Sequence, residues 1–180
     1  MSVFVVAVVI VGLLGLVNLL FSFGVIRRMR EHTETLDDLA RQGGPVEVML
    51  GAGEVVADFD ARTVDGAQVS RDGFADTTLV GVFSPGCSAC EAQLDEFVEH
   101  AMAHPGGRRQ VLALVVDEEA DSGGYVSRLE PVSLVVRERR YGPVYEALAV
   151  RGFPAFALVE GGVVLSSGFD LSALSSAVGR

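Results

Sequence analysis

The sequence predicts an α/β domain with a central mixed β-sheet and helices on both faces, preceded by a single N-terminal transmembrane helix. Three observations carry that expectation. Short apolar runs alternate with helix-patterned segments from about residue 55 onward and end in a hairpin and a helix. The only two cysteines in 180 residues, Cys87 and Cys90, stand between an apolar run and a helix-patterned one. Residues 3–26 form a 24-residue apolar stretch, interrupted only by Gly12, Gly15, Asn18, Ser22 and Gly24.

At about 1.5 Å of helical rise per residue, that stretch is long enough to cross a hydrocarbon layer of about 30 Å with some tilt. A cleaved signal peptide would open with basic residues and carry a shorter apolar core, about 7–15 residues, before a small-residue cleavage site. No basic side chain precedes residue 3, and Phe21-Ser22-Phe23-Gly24 is a poor cleavage site. No cysteine lies near enough for a lipid anchor. Residues 1–26 are therefore expected to be an uncleaved membrane anchor. Residues 27–45 are polar, with Met29, Leu36 and Leu39 as thin apolar content, and read as a helical stalk closed by Gly43, Gly44 and Pro45. Residues 46–180 are the expected soluble domain, long enough for a packed core.

Within that domain, residues 55–61 and 67–70 flank the turn Val64-Asp65-Gly66 and predict a hairpin. Residues 79–83 form a short buried strand. Leu94, Phe97, Val98, Ala101 and Met102 repeat at helical spacing, with Glu91, Asp95, Glu96 and Glu99 opposite, until His104-Pro105-Gly106-Gly107 stops the helix. Residues 111–116 are a second continuous apolar run, suited to a central parallel strand. A short helix over 123–130, a strand over 132–136 and a helix over 141–150 follow. Residues 153–159 and 163–165 flank Gly161-Gly162 as a hairpin, and 171–178 close the chain as a helix. Residues 117–121 and the run Arg137-Glu138-Arg139-Arg140 read as solvated surface.

Charge excludes one class of partner. Twenty-four acids outweigh fourteen basic residues, every one an arginine, for a net charge of −10. Such a chain does not bind nucleic acid by neutralising phosphates.

The chemistry resides in Phe83-Ser84-Pro85-Gly86-Cys87-Ser88-Ala89-Cys90. A strand that turns into a helix puts Cys87 at the helix N-terminus, where unpaired N–H groups and the helix dipole favour a thiolate. Cys90 lies three residues on, along the same face, so the two sulfurs can meet. In this reading Cys87 attacks or is attacked, and Cys90 resolves the mixed disulfide. Glu91, one residue later, is a candidate proton acceptor or an ordinary solvated glutamate. A zinc site would need more ligands, and His100 and His104 are the tempting pair. In one continuous helix, His100 would stand about 15 Å along the axis from Cys90, beyond the reach of a single ion. No metal and no cofactor are expected.

This segment resembles the active-site motif of thioredoxin-fold proteins. It is most similar to the membrane-anchored disulfide oxidoreductases of the TlpA-like and MauD-like (redoxin) type, whose motif runs Ser-Pro-x-Cys-x-x-Cys. The resemblance spans about residues 53–175. Residues 53–59 resemble the domain opening, with Ala57 where proline is usual, and residues 145–164 resemble the last helix and the proline loop. It implies a thioredoxin-like fold in which Pro154 is the cis-proline. A cis Phe153-Pro154 bond would turn the backbone of Phe153 toward the dithiol, to pair with an extended substrate and align its disulfide with Cys87. The departures are also specific. Where thioredoxins carry a tryptophan before the first cysteine, this chain has Gly86; where they carry a buried acid six residues before it, this chain has Gly81.

The implied activity is thiol–disulfide exchange with a disulfide- or dithiol-bearing protein, reset by an electron donor that the sequence does not name. Two alternatives stay open: a peroxiredoxin-like peroxidase, for which Ser84 stands three residues before Cys87, and a non-enzymatic copper chaperone using the dithiolate. The flanking Arg27, Arg28 and Arg30 place the domain in the cytoplasm by the positive-inside rule. The resemblance places it on the outer face, where disulfides persist, and long domains translocate despite flanking charge. An extracytoplasmic domain on a single-pass membrane anchor is the expectation.

Overall fold

The computed structural model describes Phe4 and residues 47–74, 76–117 and 123–175 of the chain. In chain order these form β1 (Asp60–Arg62), β2 (Gln68–Ser70), β3 (Thr78–Phe83), α1 (Ser88–Ala103), β4 (Val111–Val116) and α2 (Gly123–Leu129). β5 (Leu134–Glu138), α3 (Pro143–Ala147), β6 (Ala155–Glu160), β7 (Val163–Gly168) and α4 (Ser172–Ser175) follow. Short 3₁₀ turns at Arg71–Phe74 and Gly107–Gln110 lead into β3 and β4.

Five strands form one mixed sheet in the order β5-β4-β3-β6-β7. β3 lies in the middle, parallel to β4 and antiparallel to β6, while β5 continues the parallel half and β7 the antiparallel half. Every residue of β3 and β4 is buried, as continuous apolar runs require when both faces of a sheet are covered. Alternate residues serve opposite cores. Val80, Val82, Leu112, Leu114 and Val136 face α3, the β1–β2 hairpin and the segment around Met49. Leu79, Phe83, Val111, Ala113, Val115 and Val135 face the buried stripes of α1, α2 and α4. Helices therefore cover both faces, as expected.

α1 shows its sequence logic directly. Cys90, Leu94, Phe97 and Ala101 repeat at three to four residues and are buried, so one stripe of the helix lies on the sheet. Phe97 reaches β3 opposite Gly81. A Cβ at Gly81 would lie 2.5 and 2.7 Å from the Phe97 ring and 3.0 Å from Phe83. The Phe97 ring is itself held edge-on to Phe83 at 5.2 Å and stacked on Phe156 at 5.8 Å. The helix sits this close to the central strand because residue 81 has no side chain.

The closing hairpin turns through Gly161 and Gly162, both at positive φ (58° and 77°), the conformation that two-residue hairpin turns demand. Elsewhere the expected bounds shift for local reasons. The first strand of the β1–β2 hairpin keeps only Asp60–Arg62, because Val56 and Ala57 donate instead to Gly162 and Ala147. β5 starts two residues late, because Val132 and Ser133 both donate back to Leu129 and finish the α2 turn. The helix expected over 141–150 shrinks to α3, because Tyr141 (φ 66°) and Ala149 (φ 47°) adopt left-handed conformations on either side of it.

Glu47–Arg180 forms one compact unit. The expected anchor and stalk, residues 1–45, lie outside the described residues apart from Phe4, as do residues 118–122 and the end of the closing helix beyond Ser175. Among the described residues no helix is long and apolar enough to cross a membrane.

Gly81→Ala should lower the free energy of unfolding by about 1–3 kcal/mol, the usual cost of forcing a methyl into a filled core. Urea unfolding measures it, and an unchanged midpoint would show that the three-phenylalanine cluster yields freely.

Candidate active site

β3 ends at Phe83, and Ser84, Pro85 and Gly86 carry the chain into α1 through a turn that needs positive φ at Gly86 (80°). The Cys87 N–H closes this turn on the Ser84 carbonyl at 3.2 Å. Cys87 then takes the N-cap position of α1 with extended backbone (φ −88°, ψ 112°). Its sulfur does the work that Ser or Asp does at most N-caps, accepting the backbone N–H of Cys90 at 3.3 Å. A donor thus points at the Cys87 sulfur from the positive end of a sixteen-residue helix.

The two sulfurs have different surroundings. Both are free thiols; Cys87 is half-buried, whereas Cys90 has no exposed surface. Burial, followed by the hydrogen bond and charge of Cys87, pushes the Cys90 thiol up to about 12. Cys87 is therefore the accessible sulfur, and Cys90 is enclosed with its proton held.

A second element meets the dithiol at the same end of the sheet, where β6 begins beside the end of β3. The Phe153-Pro154 bond that leads into β6 is cis, and Pro154 is buried. The Cys87 thiol points at the Phe153 carbonyl, Sγ to O 3.9 Å. Phe153 packs against both cores, and its half-buried ring is flanked by Tyr145 at 6.3 Å and by the Arg140 guanidinium at 5.6 Å from the ring centre. The structure thus brings Cys87, Cys90 and Phe153 together. Glu91 is exposed on the first turn of α1 and donates its backbone N–H to the Cys87 carbonyl at 3.1 Å.

Strand, turn, sulfur-capped helix and facing proline loop are arranged around the middle strand of a β5-β4-β3-β6-β7 sheet. The fold is thioredoxin-like. Solved structures of similar shape include the thioredoxin domain of a thiol-disulfide oxidoreductase from Bacteroides vulgatus (TM-score 0.57, 19% identity, covering 72% of this chain and 96% of that one). A thio-disulfide isomerase from Thermus thermophilus matches at TM-score 0.53 and 19% identity, over 72% of this chain and 92% of that one. An exposed lipoprotein thioredoxin from Streptococcus pneumoniae matches at TM-score 0.52 and 24% identity, over 68% of this chain and 95% of that one. No family model matches the chain, and no curated protein sequence does.

In this thioredoxin-like frame, several residues appear that sequence reasoning passed over. Tyr125 of α2 is buried in the same core as Cys90, and its ring lies 6.1 Å from Phe83. Burial, and then the charges of Cys90, Glu91 and Cys87, push its phenol up to about 12. A lone tyrosine in a short helix carries no signal of this in the sequence. The run from Arg137 to Arg140, read as surface, is only partly so. Glu138 is half-buried and accepts the N–H groups of Val144 and Tyr145 at the start of α3, and burial raises its carboxyl above the usual range. Arg140 reaches Phe153. His100 and His104 engage the carbonyls of Glu96 and Thr77, each at 2.9 Å. Among the described residues no group of three or more His, Cys, Asp and Glu is placed to hold a metal ion.

Iodoacetamide applied to the reduced native protein at about pH 8, near the ordinary thiol range, should alkylate Cys87 and spare Cys90. Peptide mass spectrometry reads the two positions separately, and equal labelling would contradict the difference in burial.

Proposed function

We propose that this protein is a membrane-tethered thiol–disulfide oxidoreductase that exchanges disulfides with a protein substrate through Cys87 and Cys90. The observation that carries the reading is the pairing of an accessible, helix-capping sulfur with a fully buried one three residues on. The Cys87 thiolate attacks a substrate disulfide, forming a mixed disulfide and releasing one substrate sulfur as a thiolate. Cys90 then loses its proton and attacks the Cys87 sulfur. The electron pair of the mixed disulfide leaves on the second substrate sulfur, and Cys87 and Cys90 end as a disulfide. Run backwards, the same steps oxidise a dithiol substrate. An electron donor, or an acceptor for the reverse direction, completes the cycle.

Phe153 and Pro154 position the substrate in this reading: the Phe153 backbone beside Cys87 offers an extended peptide a place to pair. Glu91 is exposed close by and serves as a proton acceptor through water. The likeness of shape to thiol-disulfide oxidoreductases supports the chemistry without naming the substrate. The tether rests on the composition of residues 3–26, and the extracytoplasmic placement on the advantage of an oxidising compartment for protein disulfides.

Full-length protein should catalyse insulin reduction by dithiothreitol, and Cys87→Ser should abolish it. Cys90→Ser should instead accumulate a mixed disulfide with the partner in the native cells, visible as a reductant-sensitive adduct. A membrane-impermeant maleimide should label Cys87 in intact cells if the domain faces outward. Peroxide consumption without insulin turnover, or stoichiometric copper retention without either, would replace this reading.

A further inference from the structure

Exchange through this dithiol has a difficulty that the described geometry leaves unsolved. Cys90 must give up its proton to resolve the mixed disulfide, yet it is fully buried. Thioredoxins carry a buried acid at the position of Gly81, and here the space beside that glycine is filled by Phe97 and Phe83. Cys90 shares its buried cluster with Phe83, Leu94 and Phe97, and besides Cys87 the polar groups acting on its sulfur are the backbone of Ser84 and its own. One polar atom of this core is unused. The Tyr125 hydroxyl is buried and has no hydrogen-bond partner among the described residues, although the residue is only 8% exposed. A buried phenol without a partner costs free energy and calls for an explanation.

We propose that Tyr125 is a further catalytic residue, whose hydroxyl donates a hydrogen bond to the Cys90 sulfur as that sulfur becomes a thiolate in the resolving step. The assignment rests on the oxidoreductase reading above. In the dithiol state the hydroxyl makes no such bond; the bond forms with the charge, which is the condition for lowering a barrier and not merely tightening a ground state. The proton balance needs no added acid or base. The proton that leaves Cys90 ends, by way of water, on the substrate thiolate that departs when the mixed disulfide breaks. Tyr125 keeps its own proton throughout. The ionisable groups bearing on the hydroxyl are Cys90, Glu91 and Cys87 of α1. Asp95 and Arg128 pair between α1 and α2 and hold the two helices together.

The test separates formation from resolution in the full-length protein. Cys87 is loaded as a mixed disulfide with 2-nitro-5-thiobenzoate, and release of the coloured thiolate by Cys90 is followed against pH. Tyr125→Phe keeps the ring against Phe83 and removes only the hydroxyl. Loading should be unchanged, and release at neutral pH should slow by about tenfold to a hundredfold, the worth of one hydrogen bond to a charged acceptor. Its pH profile should move upward. Release at the unaltered rate with an unmoved profile would overturn the assignment. If the phenylalanine variant does not fold, 3-fluorotyrosine at position 125, a stronger donor, decides: a profile moved to lower pH supports the assignment, and an unmoved one overturns it. Failure of the unaltered chain to form any mixed disulfide would overturn this inference and the oxidoreductase reading together. Normal loading and release with an indifferent Tyr125→Phe would overturn the Tyr125 assignment alone.

Discussion

The hydrogen bond from the Cys90 N–H to the Cys87 sulfur is the contact to which the rest of the domain is fitted. It exists only because residue 87 is an N-cap, and residue 87 is an N-cap only because α1 begins where β3 has just ended. α1 is held there by Phe97, whose ring enters the space left by Gly81 and meets Phe83 and Phe156. A glycine in the central strand, which sequence rules treat as a weakness, is here the condition for close helix–sheet packing. The geometry of the dithiol is thus a consequence of a steric fit two turns further along the helix. Stability and chemistry share the same three rings.

The burial difference between the sulfurs follows from the same arrangement. Position 87 lies at the end of the helix, where the chain has just left the sheet and solvent reaches it. Position 90 falls on the stripe of Leu94, Phe97 and Ala101 and goes under. A spacing of three residues across a helix start separates an accessible sulfur from a buried one without any further device. The Phe153 carbonyl meets only the outer sulfur.

Much of this was legible in the chain, and the reason is local. Buried strands β3 and β4 are unbroken apolar runs, α1 carries its stripe at helical spacing, and Gly161-Gly162 marks a hairpin that few other residues would allow. What escaped depends on contacts between distant segments. The loss of residues 55–59 from the first strand reflects carbonyls supplied by Gly162 and Ala147, about a hundred residues away in sequence. Glu138 looks like surface because its neighbours are arginines, and only the fold reveals the start of α3 beneath it. Tyr125 has no pattern at all. Its place beside the dithiol core is set by how α2 lies on β4 and β5, which no short-range rule encodes.

The filling of the space beside Gly81 by Phe97 and Phe83, together with the role proposed for Tyr125, has a chemical consequence. A carboxylate near a buried thiol can take its proton, but it must itself be desolvated, and its charge is costly in an apolar core. A phenol is neutral over the whole range in which thiols exchange, so it can lie buried without charge and still donate. It cannot act as the base. In the exchange proposed above, the proton from Cys90 would therefore travel outward to a departing thiolate or to water, and Glu91 is exposed on the same helix turn. Resolution is then coupled to the presence of a leaving substrate. In the proposed exchange, a dithiol built this way would hold its second proton until a partner is attached, and the aromatic core that fixes the helix also encloses the inner sulfur.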